Sequence, residues 1–302
     1  MPMVKRADFL ANEVIDLREE IALTSPTDTP FTTMVMGRGA VVPATDITVT
    51  WRERQLNAER GTLIKEGAEA GTPIKSSRSS LSNLCQIIEK VTQVSGTARA
   101  LNPKGIGDSF TAEVNDRLVE LKRDLEFYYL SGTKAAESDS APRQMNGIIN
   151  LINSENSIDG TSGLTETLLL DGLQKIWDHG AQGEYYTFVN AGIKRILNDL
   201  FKNGSNVRVM VENGTDQVMG ITVQKIQSDF GTLNLVLDRH VDAHTLFAVD
   251  MDQVQIAELR GTFYEDLPKS GDYFKGHIIN ESTIKLLNSY AAMKIVNIGK
   301  GA

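Results

Sequence analysis

Between two strand-like runs lies a stretch that a compact monomer has no use for. Ile47-Thr48-Val49-Thr50-Trp51-Arg52 alternates as a strand does, and a second run, Ser79 to Thr97, is rich in Ile and Val. The residues between them, Asn57 to Ser77, are mainly Gly, Ala, Glu and Lys. About twenty residues without structure of their own count against a hairpin, unless the loop is functional or a partner orders it. The expectation is therefore a long hairpin with a soft tip, completed by another molecule.

Charge sharpens this expectation. Residues 47–104 hold nine Lys and Arg against five Asp and Glu, while the whole chain carries a net charge of −8, so the remainder stands at −12. A basic segment on an acidic body fits self-complementary assembly. Arg52, Arg54, Arg60, Lys65, Lys75 and Arg78 are the cations of the hairpin flanks and tip. The plainer alternative is a solvated loop that simply carries charge. An acidic chain is also a poor candidate for coating nucleic acid, because phosphate neutralisation concentrates Lys and Arg.

Other features bound the class. With 302 residues, 41% of them hydrophobic, the chain can bury a sizeable core in one or two domains. No apolar run is long enough for a membrane span, and the N-terminus lacks a signal-peptide core, so no membrane is expected. Cys85 is the sole cysteine and sits in an apolar run, where it reads as a small buried hydrophobe.

Along the chain, residues 1–46 read as an arm. It comprises an amphipathic helix around Ala7 to Leu23, then Pro26 and Pro30, which stop any helix and set an extended strap, then an apolar patch from Phe31 to Val35. Such a strap should be removable, through residue 36, without unfolding the subunit. Asp108 or Ser109 can cap a long helix to Leu130, with Phe110, Val114, Leu118, Leu121, Leu125 and Tyr128 on one stripe. Glu113, Arg117, Glu120, Arg123 and Glu126 fall on the other face, which reads as exposed. At 1.5 Å per residue this helix is roughly 35 Å long.

From 146 to 250 helices and strands alternate. Helices are expected at Thr165–His179 and Ala191–Phe201, and strands at Tyr185–Asn190, Val207–Val211, Gly220–Gln227 and Leu233–Leu237. Beyond lie a strand-like Leu246–Leu259, a polar Glu265–Lys275 and an apolar Ile278–Ile298.

Several local motifs accompany this order: Asp28-Thr29-Pro30-Phe31; Trp51; Glu66-Gly67; Leu81-Ser82-Asn83 with Gln86-Ile87; Val94-Ser95-Gly96-Thr97; Arg123-Asp124-Leu125-Glu126; Leu130-Ser131-Gly132; and Arg143-Gln144-Met145-Asn146-Gly147. Together they resemble tailed-bacteriophage major capsid proteins of the Hong Kong 97-like fold, densely from about 24 to 150 and by layout alone thereafter. The resemblance implies an α+β capsid fold: an N-terminal arm (1–46), an extended loop (47–104) lying over a neighbour, a peripheral domain with its spine helix (105–145) and closing strands (251–302), and an axial domain (146–250). Hexamers and pentamers would form an icosahedral shell around double-stranded DNA, without sequence-specific binding, assembled in the host cytoplasm into a virion. Pro26, Pro30, Phe31, Trp51 and Glu66 join the six hairpin cations as expected intersubunit contacts. Portal and decoration proteins are implied partners. An arm of about 45 residues is short for a built-in scaffold, so scaffolding is expected from another chain. A nanocompartment of the encapsulin kind, enclosing enzymes instead of a genome, is the alternative within the fold.

Catalytic readings find little support. His240 and His244 are four apart, but they lack the Glu of a metallopeptidase motif and a third ligand, so a polar loop is expected. Asp250 and Asp252 lack the rest of a calcium loop, and Lys104-Gly105-Ile106-Gly107 reads as a hinge and not as a phosphate cradle. Lys65 beside Glu66 has the residue types of a lysine–asparagine cross-link known in this fold, with no asparagine assigned to it. No enzyme activity, cofactor or metal is expected.

Overall fold

The computed structural model describes residues 28–57, 59–61, 63–73, 75–101, 108–181, 183–203 and 224–300. The expected helix at Ala7–Leu23, Pro26, the Lys104–Gly107 hinge, strand Val207–Val211 and the start of Gly220–Gln227 lie outside them.

In chain order the elements are α1 (Pro30–Gly37), β1 (Val41–Pro43), β2 (Thr48–Gln55), β3 (Ser77–Leu84), β4 (Gln86–Ser95), α2 (Gly96–Ala100), α3 (Ser109–Ser131), α4 (Ile148–Leu151), β5 (Ser157–Asp159), α5 (Glu166–Asp178), β6 (Glu184–Val189), α6 (Ala191–Asn203), β7 (Lys225–Ser228), β8 (Gly231–Leu237), β9 (Leu246–Val249), β10 (Val254–Leu267), β11 (Tyr273–Leu286) and β12 (Ala292–Val296). They make a two-stranded sheet of β2 and β3, a four-stranded sheet ordered β1-β10-β11-β4 and a six-stranded sheet ordered β5-β12-β9-β6-β8-β7. By internal contacts the chain divides into two units; the described part of one is Glu89–Lys122 with Thr262–Ile279, and the other takes in Asp28–Ile88, Arg123–Gly261 and the chain from Asn280.

In the larger unit the six-stranded sheet carries a hydrophobic core. Thr165 caps α5 by accepting from the Leu168 amide, and its buried face, Leu169, Leu173 and Ile176, packs with Ile193 and Leu197 of α6 on Tyr185, Leu233 and Ala248 of the sheet. β12, which chain order groups with the closing strands, runs between β5 and β9 in this sheet. Its Ala292, Met293 and Ile295 have no exposed surface, so it belongs to an interior strand and not to a rim.

Three expected segments resolve differently. Ser79–Thr97 is not one strand: it breaks at Cys85, so β3 pairs with β2 while β4 joins the four-stranded sheet. The physical signal is a change of partner at a fully buried residue, which residue composition does not record. Leu246–Leu259 likewise divides around a short 3-10 turn at Met251–Gln253, capped by Asp250. Glu265–Lys275, read only as polar, takes in the ends of two strands: β10 runs to Leu267 with residues 260–266 all exposed, and β11 starts at Tyr273.

The smaller unit is held by aromatic and charged groups. Arg99 lies over Phe274 at 4.3 Å and over Phe110 at 5.4 Å, and Phe110 meets Tyr264 edge-on at 6.4 Å. His277 Nδ1 contacts Glu89 at 2.6 Å, and its Nε2 lies 3.5 Å from Glu265. Gly276 is packed on the Tyr264 ring, where a Cβ would collide with the hydroxyl.

Candidate intersubunit surface

α1 is where the sequence reading is corrected most. Pro30 does not stop a helix; it begins one, because proline at the first helical position needs no amide partner and already has helical φ. Phe31 and Val35 have no exposed surface. The Phe31 ring sits edge-on to Phe188 at 5.3 Å and to Phe247 at 6.4 Å, while Phe188 and Phe247 stack at 5.1 Å. Removal through residue 36 would take these buried groups with it, which speaks against a strap that the subunit can lose without cost.

The first turn of α1 is capped from far along the chain. Glu126, expected on an exposed face of the long helix, has no exposed surface and accepts from the Phe31 amide at 2.7 Å, the Thr32 amide at 2.8 Å and the Thr32 hydroxyl. A carboxylate suits the orphan amides and positive dipole end of a helix N-terminus. Asp238 lies beside it, with Oδ1 accepting from the His240 amide at 2.8 Å and Oδ2 buried without a donor among the described residues. Two carboxyls buried side by side favour holding one proton between them over carrying two negative charges. Burial pushes the Glu126 carboxyl up to about 7 and Asp238 adds to the rise, against the pull of the Thr32 and Phe31 donors. Burial raises Asp238 as well.

Trp51 is also spent within the subunit. It is buried, and its indole N–H donates to Leu286 O at 2.7 Å. The same face of β2 carries Glu53, which accepts from Ser289 Oγ at 3.2 Å. Of the expected contact residues, Phe31 and Trp51 thus leave the exposed set, and Pro30 is half-buried. Arg52, Arg54, Arg60, Lys65, Glu66, Lys75 and Arg78 are all exposed. At the tip, Ala68 N donates to Lys65 O at 3.1 Å, closing a turn that requires Gly67 at φ +79°.

Sequence reasoning passed over the apolar part of this tip. Leu63 is 99% exposed, Leu56 75% and Ile64 66%, so most of this apolar surface is left uncovered. Three large apolar groups inside a polar loop were the available signal. Lys134, equally unremarked, reaches the hairpin from the segment after α3, with Nζ 2.8 Å from Ser82 O and 2.9 Å from Ser82 Oγ.

The motifs that carried the resemblance have structural duties. Asn83 Nδ2 donates to Asn146 O at 2.9 Å and Ile284 O at 2.8 Å, and Asn83 Oδ1 accepts from the Asn146 amide at 2.7 Å. Gln86 accepts from Met145 N at 3.1 Å, and Arg143 Nε donates to Cys85 O at 2.7 Å. Arg143 and Arg260 both bind the buried Glu281. Gly132 and Gly147 approach backbone to backbone, with Gly147 N donating to Gly132 O at 2.8 Å and no room for a Cβ on either. These residues seal a buried polar seam, whose unpaired groups would be costly.

Groups suited to catalysis stay apart. His240 and His244 do not share a helix face: His244 Nδ1 engages Ile298 O at 2.8 Å, and His240 lies in the turn capped by Asp238. No cluster of three His, Cys, Asp or Glu suited to a metal occurs among the described residues. Burial pushes the Cys85 thiol up to about 11, which keeps it protonated and unreactive.

No curated protein sequence matches the chain. Solved structures do. The capsid of cyanophage A-1(L) superposes with a TM-score of 0.72 at 12% identity, covering 98% of both chains. The capsid of a native GTA particle gives 0.67 at 10% identity, over 95% of this chain and 96% of that one. The SrpI encapsulin of Synechococcus elongatus PCC 7942 gives 0.61 at 11% identity, over 99% and 96%. At such identities the likeness establishes the fold, which is the mixed α+β, Hong Kong 97-like one. Residues 4–299 match the SU10 major capsid protein family, and the chain belongs to that family of shell-forming structural proteins.

Proposed function

We propose that copies of this chain close into the icosahedral head of a tailed bacteriophage, as hexamers and pentamers around double-stranded DNA, and that the chain catalyses nothing. Membership of the capsid family supports the shell, and the hairpin tip is the observation that carries its mechanism. Leu56, Leu63 and Ile64 are exposed in the same loop as the exposed Arg60, Lys65 and Lys75, a combination that a neighbouring subunit would cover.

In this reading residues 1–46 serve as the arm and 47–104 as the loop reaching over a neighbour. Residues 105–145 and 251–302 form the peripheral domain, and 146–250 form the axial one, with β12 returning to the axial sheet. Contact with neighbours falls to Pro26, Pro30 and the exposed hairpin residues. Assembly takes place in the host cytoplasm, with scaffold, portal and decoration proteins as separate partners. DNA is enclosed and not read, in keeping with the net charge of −8.

Electron microscopy and sedimentation of the purified protein, alone and with its scaffold, test this reading. Closed shells or capsomers are expected, and a monomer under every assembly condition would refute it. The encapsulin match supports a second reading, a nanocompartment. Particles that co-purify with a cargo enzyme and without DNA would favour that one.

A further inference from the structure

The paired strands sort the hairpin's side chains onto two faces, and one face holds positive charge that no acid pairs among the described residues. The register sets Arg54 directly opposite Arg78 and Arg52 opposite Ser80. Because side chains alternate along a strand, Thr50, Arg52 and Arg54 share a face with Ser82, Ser80 and Arg78. Trp51 and Glu53 take the other face and bond to Leu286 and Ser289 of their own subunit. Lys134 extends the first face through its bonds to Ser82. All four cations are exposed, and among the described residues Arg52, Arg54 and Arg78 have no ion pair. No acid stands on that face of either strand.

Like charges directly opposite across antiparallel strands weaken the pairing, so an anion placed between two guanidinium groups in register relieves that repulsion. Each offers a planar fork that matches a carboxylate. We propose that this face is a carboxylate clamp for an acidic surface of a second copy of the chain, with Arg54 and Arg78 as its paired forks. The proposal rests on the shell reading above and names its chemistry. Two observations favour protein over nucleic acid as the occupant. The chain outside 47–104 carries −12, and the same hairpin ends in Leu56, Leu63 and Ile64, which a phosphate backbone would leave in water.

The test compares the full-length wild type with R54E/R78E and R54K/R78K. Sedimentation at 50 and 500 mM NaCl gives the concentration at which half the protein is in capsomers or larger, and retention of labelled duplex DNA is measured at 50 mM. For the wild type, that concentration should rise at least threefold with salt. R54E/R78E should raise it at least tenfold at 50 mM and remove the salt dependence, with an unchanged circular dichroism spectrum. R54K/R78K should fall between, because lysine keeps the charge and loses the fork. If R54E/R78E assembles as the wild type does, the clamp is overturned while the shell reading stands. A wild type that stays monomeric throughout removes both. Loss of DNA retention with unaltered assembly would assign the face to nucleic acid and overturn the proposal. Should R54E/R78E misfold, the decision passes to R54K/R78K, and an unaltered midpoint there overturns it.

Discussion

Residues 30–37 and residues 56–76 share one trait in the sequence: each sets large apolar groups in a segment with a proline and glycine, and each reads as a surface awaiting a neighbour. The fold treats them oppositely. Phe31 and Val35 are wholly buried, while Leu63 is 99% exposed. The difference is one of partners: α1 lies where Glu126 caps its amides and Phe188 and Phe247 meet its aromatic ring, whereas the hairpin tip extends past the last paired residues, Gln55 and Ser77. An apolar residue becomes core or interface according to what lies within reach of it.

That contrast breaks most sharply at Phe31. Phe31→Ala should destabilise the isolated subunit by about 3–5 kcal/mol, the usual cost of emptying an aromatic site in a core. A denaturant midpoint at the wild-type value would return α1 to the removable arm.

Glu126 tests the cap. Its carboxyl binds a proton more readily folded than unfolded, so the stability it contributes is complete below about 4.5 and is lost as pH rises to about 7. The loss is up to about 3 kcal/mol, each pKa unit being worth 1.36. Denaturation of the wild type across this window should show the decline, and E126Q should flatten most of it, with Asp238 leaving a smaller slope of the same sign. A wild-type profile flat from pH 4.5 to 7 would mean that no proton is shared there.

Trp51→Phe keeps the ring and strands the Leu286 carbonyl, so a loss of about 1–3 kcal/mol is expected in the same assay. No loss would show that the hairpin base is less firmly held to its own subunit than the indole bond implies. The smallest effect belongs to the tip. Replacing Leu63 and Ile64 by Ser should shift subunit stability by no more than about 0.5 kcal/mol and yet raise the concentration needed for assembly. A large stability loss there would erase the contrast with α1.

By itself the sequence determined whatever depends on neighbours along the chain. Helix 109–131, the strands of the hairpin, α5, α6 and β6 follow from periodicity and capping residues, which act within a turn or two. It also located the exposed basic hairpin, because charge without apolar alternation is a local property. Tertiary structure alone decided the choices that join distant residues. Glu126, helical and charged, reads as solvated until Phe31 and Thr32, over ninety positions away, arrive at its oxygens. Cys85 divides one Ile- and Val-rich run between two sheets, β12 joins the six-stranded sheet, and Arg54 meets Arg78 only through the register. Periodicity reports which face of an element is apolar; only the folded chain supplies what that face touches.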